Sequence, residues 1–171
     1  NEDISQWDTS SATTFADLFY SATGFNVDIS QWDVARVTTM TSTFAGADAF
    51  NGDLSAWRTV SVTNMEGMFY AASLFNGDIS QWDTSIVTDM NHMFCSFTTD
   101  TFSGDLAQWD TSKVTTMDGM FRQAGIFNQA LNSWDVSKVT TMLKMFENAG
   151  FNQAVDSWDV SKVNDMGLMF D

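Results

Sequence analysis

Residues 75–94 read FNGDISQWDTSIVTDMNHMF, and variants of this phrase recur along the whole chain. Its tryptophan returns at steps of 24 to 27 residues, at Trp7, Trp32, Trp57, Trp82, Trp109, Trp134 and Trp158. A phenylalanine stands twelve residues after every tryptophan, and another stands seven residues before each one except the first. A fixed period of this length is typical of repeat proteins, whose units pack against their neighbours. The sequence therefore predicts a single repeat domain over residues 1–171, with seven turns centred on the tryptophans.

Apolar residues keep the same place in every turn, and these positions predict the core. Isoleucine, leucine or valine lies three residues before each tryptophan, and valine lies five residues after six of the seven. All eleven methionines lie eight or eleven residues after a tryptophan, where a flexible thioether can fill gaps beside aromatic rings. Differences in turn length fall only between the two phenylalanines, which predicts a surface loop at that joint.

Two further patterns predict the secondary structure of a turn. The interval of three residues between Val87, Met90 and Met93 is typical of one face of a short helix. The stretch 79–84 is short, with β-branched and aromatic residues, and this favours a strand of about three to five residues. Such units bury their apolar faces only by stacking, with the strands side by side in a parallel sheet. We therefore expect an α/β solenoid in which each turn is a short parallel β-strand plus a short helix.

The composition excludes several classes of function. Acidic residues outnumber basic ones by 22 to 7, and the net charge of −15 argues against nucleic acid and anionic membranes as partners. One histidine and one cysteine cannot form a zinc site of the usual kind. No apolar stretch approaches the roughly 18 residues of a membrane span. The sequence has no motif for a nucleophile, a general base or a phosphate cradle, so we expect neither an enzyme nor a cofactor.

Two columns of aspartate hold most of the acidic residues. The first column lies four residues before tryptophan and includes the candidate metal ligands Asp28, Asp53, Asp78 and Asp105. Carboxylates stacked about 5 Å apart repel by about 1 kcal/mol per neighbour, so something must offset the repulsion. These side chains could cap turns by accepting backbone amides. Alternatively they could bind a divalent cation such as calcium, which takes six to eight oxygen ligands.

The second column directly follows tryptophan and is the predicted binding face. It consists of Asp8, Asp33, Arg58, Asp83, Asp110, Asp135 and Asp159. In this column Arg58 could bridge Asp33 and Asp83.

A threonine column six residues after tryptophan could bond the local backbone or, alternatively, order water as in ice-binding proteins. The asparagine after the first phenylalanine predicts an internal hydrogen-bonded ladder. His92 and Cys95 occupy non-repeating positions, and we expect both to be ordinary surface residues.

The phrase at 75–94 resembles the repeat of BspA-like leucine-rich-repeat surface proteins of bacteria, and the resemblance spans the whole chain. It implies a leucine-rich-repeat-like stack, located at a cell surface or outside the cell, that serves adhesion or protein binding. The resemblance implies a shared scaffold and no catalytic residues. Departures from the pattern are Phe15 in place of methionine, an enlarged turn at 96–101, and the replacement of aspartate by Ala130 and Ala154. Partner specificity is expected at these departures.

The expected function is therefore a non-enzymatic, extracellular or cell-surface repeat module for adhesion or for binding a protein or glycan. The alternative is a structural subunit that stacks end to end into an extracellular filament, because neither end carries the atypical polar repeat with which solenoids are normally capped. A fragment of a longer array would look the same. Stacked indoles also predict that Trp82→Ala destabilises the fold by several kcal/mol.

Overall fold

The computed structural model describes residues 2–96 and 101–171 and shows seven coils of chain stacked in register. We number the coils 1 to 7 by their tryptophans. Hydrogen bonds join equivalent residues of neighbouring coils; for example, the Thr88 N–H donates to the Thr63 carbonyl at 2.9 Å. The surface-loop prediction agrees with the exposure of Thr23, Gly24 and Asp48. Most of the enlarged turn predicted at 96–101 lies outside the described residues.

Within the described ranges there is no helix and no extended strand. The β structure consists of one isolated parallel bridge between each pair of neighbouring coils. The bridged residues lie seven positions after tryptophan and are Thr14, Thr39, Asn64, Asp89, Thr116, Thr141 and Asp165. The predicted α/β solenoid, with a leucine-rich-repeat-like strand and helix in every turn, is therefore wrong. The described part also contains no apolar helix that could cross a lipid bilayer.

Consecutive β-turns replace the predicted helix. The Met93 N–H donates to the Met90 carbonyl at 3.3 Å, and the Cys95 N–H donates to the His92 carbonyl at 3.1 Å. The N–H groups of Met90, His92 and Phe94 instead donate to coil 5. An α-helix bonds each N–H to the residue four positions back, so amides that alternately leave the coil cannot belong to one. Turns closed over three residues produce the same apolar spacing as a helix, which explains the error.

The predicted strand at 79–84 is also bent into turns. The Trp82 N–H donates to the Ile79 carbonyl at 3.2 Å. Just before this turn, Asp78 Oδ1 accepts the Ser80 N–H at 2.9 Å. Aspartate that bonds the backbone two residues ahead stabilises a turn and competes with an extended strand. The aspartate columns therefore oppose strand formation at the position where the apolar pattern favours it.

Ladders of parallel aromatic rings form the core. Trp82 is 4% exposed, and its ring lies 6.4 Å from the rings of both Trp57 and Trp109, within 8° of parallel. Its Nε1 donates to the Leu54 carbonyl of the preceding coil at 3.0 Å. This confirms the expected contact between indoles of successive coils. The indoles of coils 2 to 7 therefore each contribute apolar contacts and a hydrogen bond to the same interface.

Two phenylalanine columns continue the core beside the indoles. The rings twelve positions after tryptophan lie 5.5 to 5.7 Å apart from coil to coil. In coils 1 to 6 this ring also stacks on the next phenylalanine along the chain, as Phe69 does on Phe75 at 3.8 Å. The methionines of coils 2 to 6 are fully buried, which confirms their core assignment. The outer coils are less covered: Trp7 is 61% exposed and Phe170 is 60% exposed.

Candidate functional site

The aspartates that follow tryptophan cap turns within their own coils. Asp83 Oδ1 accepts the Ser85 Oγ–H at 2.6 Å and the Ser85 N–H at 3.0 Å. These two hydrogen bonds hold the pKa of Asp83 below its ordinary value. Each other aspartate in the column likewise accepts the amide two residues ahead, as seen at Asp8, Asp33, Asp110, Asp135 and Asp159. Among the described residues no ion pair joins Arg58 to Asp33 or Asp83, so the predicted bridge is wrong.

The aspartates four positions before tryptophan behave in the same way. Each accepts a backbone amide two residues ahead at 2.9 Å, at Asp28, Asp53, Asp78 and Asp105. The pKa of Asp28 is lowered by the amide and hydroxyl of Ser30, although Asp53 and Asp3 act in the opposite direction. The turn-capping alternative is confirmed. In the described part of the chain no three acidic, histidine or cysteine side chains form a group that could hold a metal, and calcium binding stays a prediction.

The polar ladders are likewise internal bonds between coils. The Thr88 Oγ1–H donates to the Thr63 carbonyl at 3.2 Å, and the same contact recurs along the threonine column. The Asn76 N–H donates to Asn51 Oδ1 at 2.9 Å. The structural interpretation of both columns is therefore confirmed. The hydroxyl protons of five threonines in the column are used by the backbone, so these five offer no donor for ordering water; they are Thr38, Thr63, Thr88, Thr115 and Thr140.

The three positions that differ most between coils lie on one side of the stack, which we call the variable face. It consists of positions nine, ten and thirteen after tryptophan, where the seven coils carry seven, six and six kinds of residue. Position nine holds Ala16, Thr41, Glu66, Asn91, Asp118, Leu143 and Gly167. Position ten holds Asp17, Ser42, Gly67, His92, Gly119, Lys144 and Leu168. Position thirteen holds Tyr20, Ala45, Tyr70, Cys95, Arg122, Glu147 and Asp171.

An open groove of about 420 Å³ crosses the variable face. Small-molecule sites in proteins are typically clefts of about 300 to 1,000 Å³, so the groove has a suitable size. Coils 1 to 5 all contribute to it. Its lining consists of Tyr20, Ser42, Ala45, Glu66, Gly67, Tyr70, His92 and Arg122.

The walls of the groove result from an alternation of large and small side chains at position thirteen. Tyr20 of coil 1 and Tyr70 of coil 3 flank the small Ala45 of coil 2. Two coil spacings separate the attachment points of the tyrosines, a distance of about 9.5 Å. This spacing of the attachment points leaves room for a ring-sized group over Ala45. Tyr20 is 61% exposed and is the more open of the two walls.

The floor of the groove depends on a glycine at a turn position. Every coil has a left-handed residue ten positions after tryptophan, and in coil 3 this is Gly67, with φ of 57°. A Cβ on Gly67 would lie 3.4 Å from Ser42 Oγ and 3.8 Å from Tyr70 Cβ. It would therefore occupy space between two lining residues. Glycine both tolerates the conformation and leaves the floor open.

His92 forms the far end of the groove. Its ring centroid lies 6.5 Å from that of Tyr70. The imidazole rests on Gly119, where an added Cβ would come within 2.8 Å of His92 Cδ2. His92 is partly covered, whereas its neighbour Cys95 is fully buried. The expectation of a surface residue is wrong for Cys95, whereas His92 is partly exposed at the groove. Burial raises the pKa of the Cys95 thiol to about 11.

A cluster of three charges borders the groove. Arg122 Nε donates to Glu147 Oε2, and Lys144 Nζ lies 3.3 Å from Glu147 Oε1. Burial tends to raise the pKa of Glu147, but the hydrogen bonds and charges of its two partners outweigh burial and lower it. The charge of Arg122 is thus largely balanced within the protein.

Sequence reasoning missed this face because it followed the positions that stay constant. The groove residues Glu66, Tyr70 and His92 occupy columns that change from coil to coil. An alignment of the seven turns would have shown the variation at positions nine, ten and thirteen. The groove itself depends on left-handed turn residues that the sequence did not predict, because five of the seven residues at position ten are not glycine.

Comparison with protein families gives one result that covers the chain. A family model described as "Mycoplasma protein of unknown function, DUF285" matches residues 1–101 and again residues 78–171. The two matches overlap, as expected when a repeated sequence is aligned twice. Comparisons with curated proteins and with solved structures found no match.

Proposed function

The chain belongs to that family of Mycoplasma proteins of unknown function, and on this premise we propose that it is a non-enzymatic binding module. Its variable face contacts a protein or glycan partner at a cell surface or outside the cell. The resemblance of residues 75–94 to BspA-like surface repeats supports both the role and the location. The family description itself names no activity.

The observation that carries this proposal is that the three positions that differ most between coils share one face, which also holds the groove. The position directly after tryptophan is aspartate in six of seven coils, whereas position nine differs in all seven. Tyr20 is exposed, and Tyr70 and Arg122 are partly exposed. Binding surfaces favour tyrosine and arginine, because these residues combine large contact area with polar groups. A repeated scaffold that presents one changing surface suits recognition better than catalysis.

A binding experiment with matched variants tests the proposal. Purified extracellular glycoproteins, each intact and enzymatically deglycosylated, are passed over the immobilised chain in a surface plasmon resonance assay. The groove variant is Tyr20→Ala with Tyr70→Ala. The control is Val60→Ala with Ile86→Ala, which removes exposed apolar side chains outside the variable face.

We expect saturable binding of at least one glycoprotein, weakened about tenfold or more in the groove variant and unchanged in the control. The intact and deglycosylated forms then show whether the partner group is glycan or protein. Absence of saturable binding to every glycoprotein would overturn the proposal. Equal binding by the groove variant, the control and the unaltered chain would overturn the assignment to the variable face.

A second candidate function, end-to-end assembly with further copies, is favoured by the polarity of the stack. In coil 1 the carbonyls of Thr14, Ala16 and Leu18 point away from coil 2 and have no partner among the described residues. In coil 7 the N–H groups of Met166 and Leu168 are likewise unpaired within the described ranges. One copy thus offers acceptors where the next offers donors, beside exposed apolar side chains at both surfaces.

Sedimentation of the purified chain tests this candidate. Stacked copies should sediment faster as concentration rises, and negative-stain images should show fibres of one coil width. Phe170→Glu places a charge on the exposed surface of coil 7 and should abolish both effects. A monomer at every concentration would refute end-to-end assembly and leave the binding module unaffected.

A further inference from the structure

We propose that the groove of the variable face binds a neutral hexopyranose oligosaccharide. The inference rests on the proposed binding function and names the ligand class for that site. It is carried by the pair of tyrosine walls around Ala45, by the polar groups beside them, and by the absence of an uncompensated positive charge within the described lining.

The tyrosine walls provide the apolar part of such a site. One face of a pyranose ring presents C–H groups, which carry a small positive charge. The face of an aromatic ring is negative, so it attracts C–H groups in addition to burying apolar surface. Tyr20 and Tyr70 stand on either side of the small Ala45, about two coil spacings apart. A puckered sugar ring is thicker than a flat aromatic ring and makes better use of a slot of this width.

The polar part of the site consists of groups that exchange hydrogen bonds with hydroxyls. Glu66 accepts only, Ser42 donates and accepts, and the His92 imidazole does both in its neutral form. Glu66 is exposed, and it has no ion-pair partner among the described residues. Sugar hydroxyls both donate and accept, so they match this mixed set.

An anionic ligand is a poorer match for the same groove. Glu66 contributes a carboxylate to the lining, and the chain as a whole carries a net charge of −15. Arg122, the cation of the lining, is already paired with Glu147. A carboxylated or sulfated sugar would therefore meet repulsion from Glu66 without a free cation to offset it.

An extended peptide is also a poorer match. Peptides that bind by adding a strand need unpaired backbone groups along an edge. Along this face the N–H groups of Met65, Gly67 and Phe69 already donate to coil 4, and the N–H of Tyr70 closes a turn. The backbone beside the groove is thus used within the stack, and recognition is left to side chains.

The single histidine of the chain provides a direct measurement. Its imidazole signals in a proton–carbon correlation spectrum need no assignment, and they report on the end of the groove. The titrants are maltotetraose, cellotetraose and N-acetylchitotetraose, with trigalacturonate as the anionic comparison. The variants are Tyr70→Ala, Tyr70→Phe, and the Val60→Ala with Ile86→Ala control, each checked for an unchanged melting transition.

At least one neutral oligosaccharide should shift the His92 signals saturably, with dissociation constants of about 10 μM to 1 mM. Tyr70→Ala should weaken this binding about tenfold, whereas Tyr70→Phe keeps the ring and should change it by about threefold or less. Trigalacturonate should bind more weakly than every neutral sugar that binds. Tyr20→Ala changes the other wall and should also weaken binding. It replaces Tyr70→Ala in the test if Tyr70→Ala fails to fold.

The possible outcomes separate this inference from the proposed function. Glycoprotein binding that needs the tyrosines, without any oligosaccharide shift at His92, would refute the sugar and retain the binding face. Stronger binding of trigalacturonate than of the neutral sugars would refute neutrality. Absence of both oligosaccharide and glycoprotein binding would refute the inference and the proposed function together.

Discussion

The side of the stack that repeats and the side that varies differ in which atoms join the coils. On the repeating side, side chains supplement the backbone bonds: Trp82 Nε1 donates to the Leu54 carbonyl, and Asn51 Oδ1 accepts the Asn76 N–H. On the variable face the bonds that recur from coil to coil are backbone ones, through amides such as those of Gly67 and Phe69. Side chains there join particular pairs of coils, as Arg122 does with Glu147. A side chain that bonds two coils together cannot be replaced without loss of stability. Where peptide groups make the bonds, residue identity is free for recognition.

Trp82→Ala gives the largest expected effect, because the indole contributes to two interfaces of the repeating side. We expect the free energy of unfolding to fall by about 3 to 5 kcal/mol, from the lost contacts and the cavity that remains. Urea denaturation followed by far-ultraviolet circular dichroism measures it. Trp7→Ala is the matched control and should have a much smaller effect, since Trp7 is 61% exposed. A loss under about 1 kcal/mol for Trp82→Ala would contradict the buried ladder.

The asparagine ladder tests whether a single side-chain acceptor matters. Asn76 Oδ1 accepts the Ser103 N–H at 2.9 Å. Asn76→Ala leaves that amide without its acceptor and should lower the free energy of unfolding by about 1 to 3 kcal/mol. Ser103→Asn is the opposite change, because the Asn128 N–H has no partner among the described residues. Ser103→Asn should raise the free energy of unfolding by about 0.5 to 1.5 kcal/mol. Changes of the same sign and size in the two variants would contradict the ladder.

The capping aspartates predict loss of stability in acid. Hydrogen bonds from the serine two residues ahead hold the pKa of Asp83 and Asp135 below its ordinary value, as at other positions of both columns. A carboxyl whose pKa is lower in the folded state stabilises the fold above its unfolded pKa of about 3.9. This stabilisation is lost as pH falls through the lower folded pKa. Melting temperature should therefore drop steadily below about pH 4.

A variant tests the cause of that acid dependence. Ser85→Ala removes the shorter of the two hydrogen bonds to Asp83 and should raise the pKa of this carboxyl towards its ordinary value. Carbon-detected titration of the Asp83 carboxyl measures the shift. Asp159 of coil 7 accepts the Ser161 N–H in the same way. It is the internal control and should titrate as before. An unchanged Asp83 would show that the serine hydroxyl does not control its ionisation.

The smallest effects on stability are expected on the variable face. Glu66→Ala and Tyr20→Ala remove exposed side chains that bond no neighbouring coil in the described structure. Each should change the free energy of unfolding by about 0.5 kcal/mol or less. Denaturation in urea, run beside Trp82→Ala, gives the comparison directly. A loss above about 2 kcal/mol for either variant would show that the variable face also holds the stack together.

The sequence predicted what depends on side-chain chemistry and missed what depends on peptide orientation. The stacking of Trp82 and the burial of Met90 follow from columns of equal residues, and both are confirmed. The helix failed because the apolar interval of three residues suits successive turns equally well. His92 illustrates the difficulty, since its left-handed φ of 55° reverses the chain without a glycine to mark the position.

The candidate site was less predictable than the core. The aspartates chosen as a binding face, such as Asp33 and Asp83, cap their own turns. The groove residues Tyr70 and His92 have meaning only when five coils are placed beside one another. Its shape depends on small residues, Ala45 and Gly67, whose importance is the space that they leave empty.

The hydrogen bonds between neighbouring coils also determine how the molecule would respond to a pulling force. Within residues 2–96 and 101–171, the backbone hydrogen bonds of each inner coil to other coils reach the coil before it and the coil after it, and no helix is present. A load along the axis would detach coils singly, and about 25 residues released at each event would lengthen the chain by roughly 85 Å. Between such ruptures the remaining coils stay intact. The protein would thus act as an extensible tether that dissipates tension in equal increments.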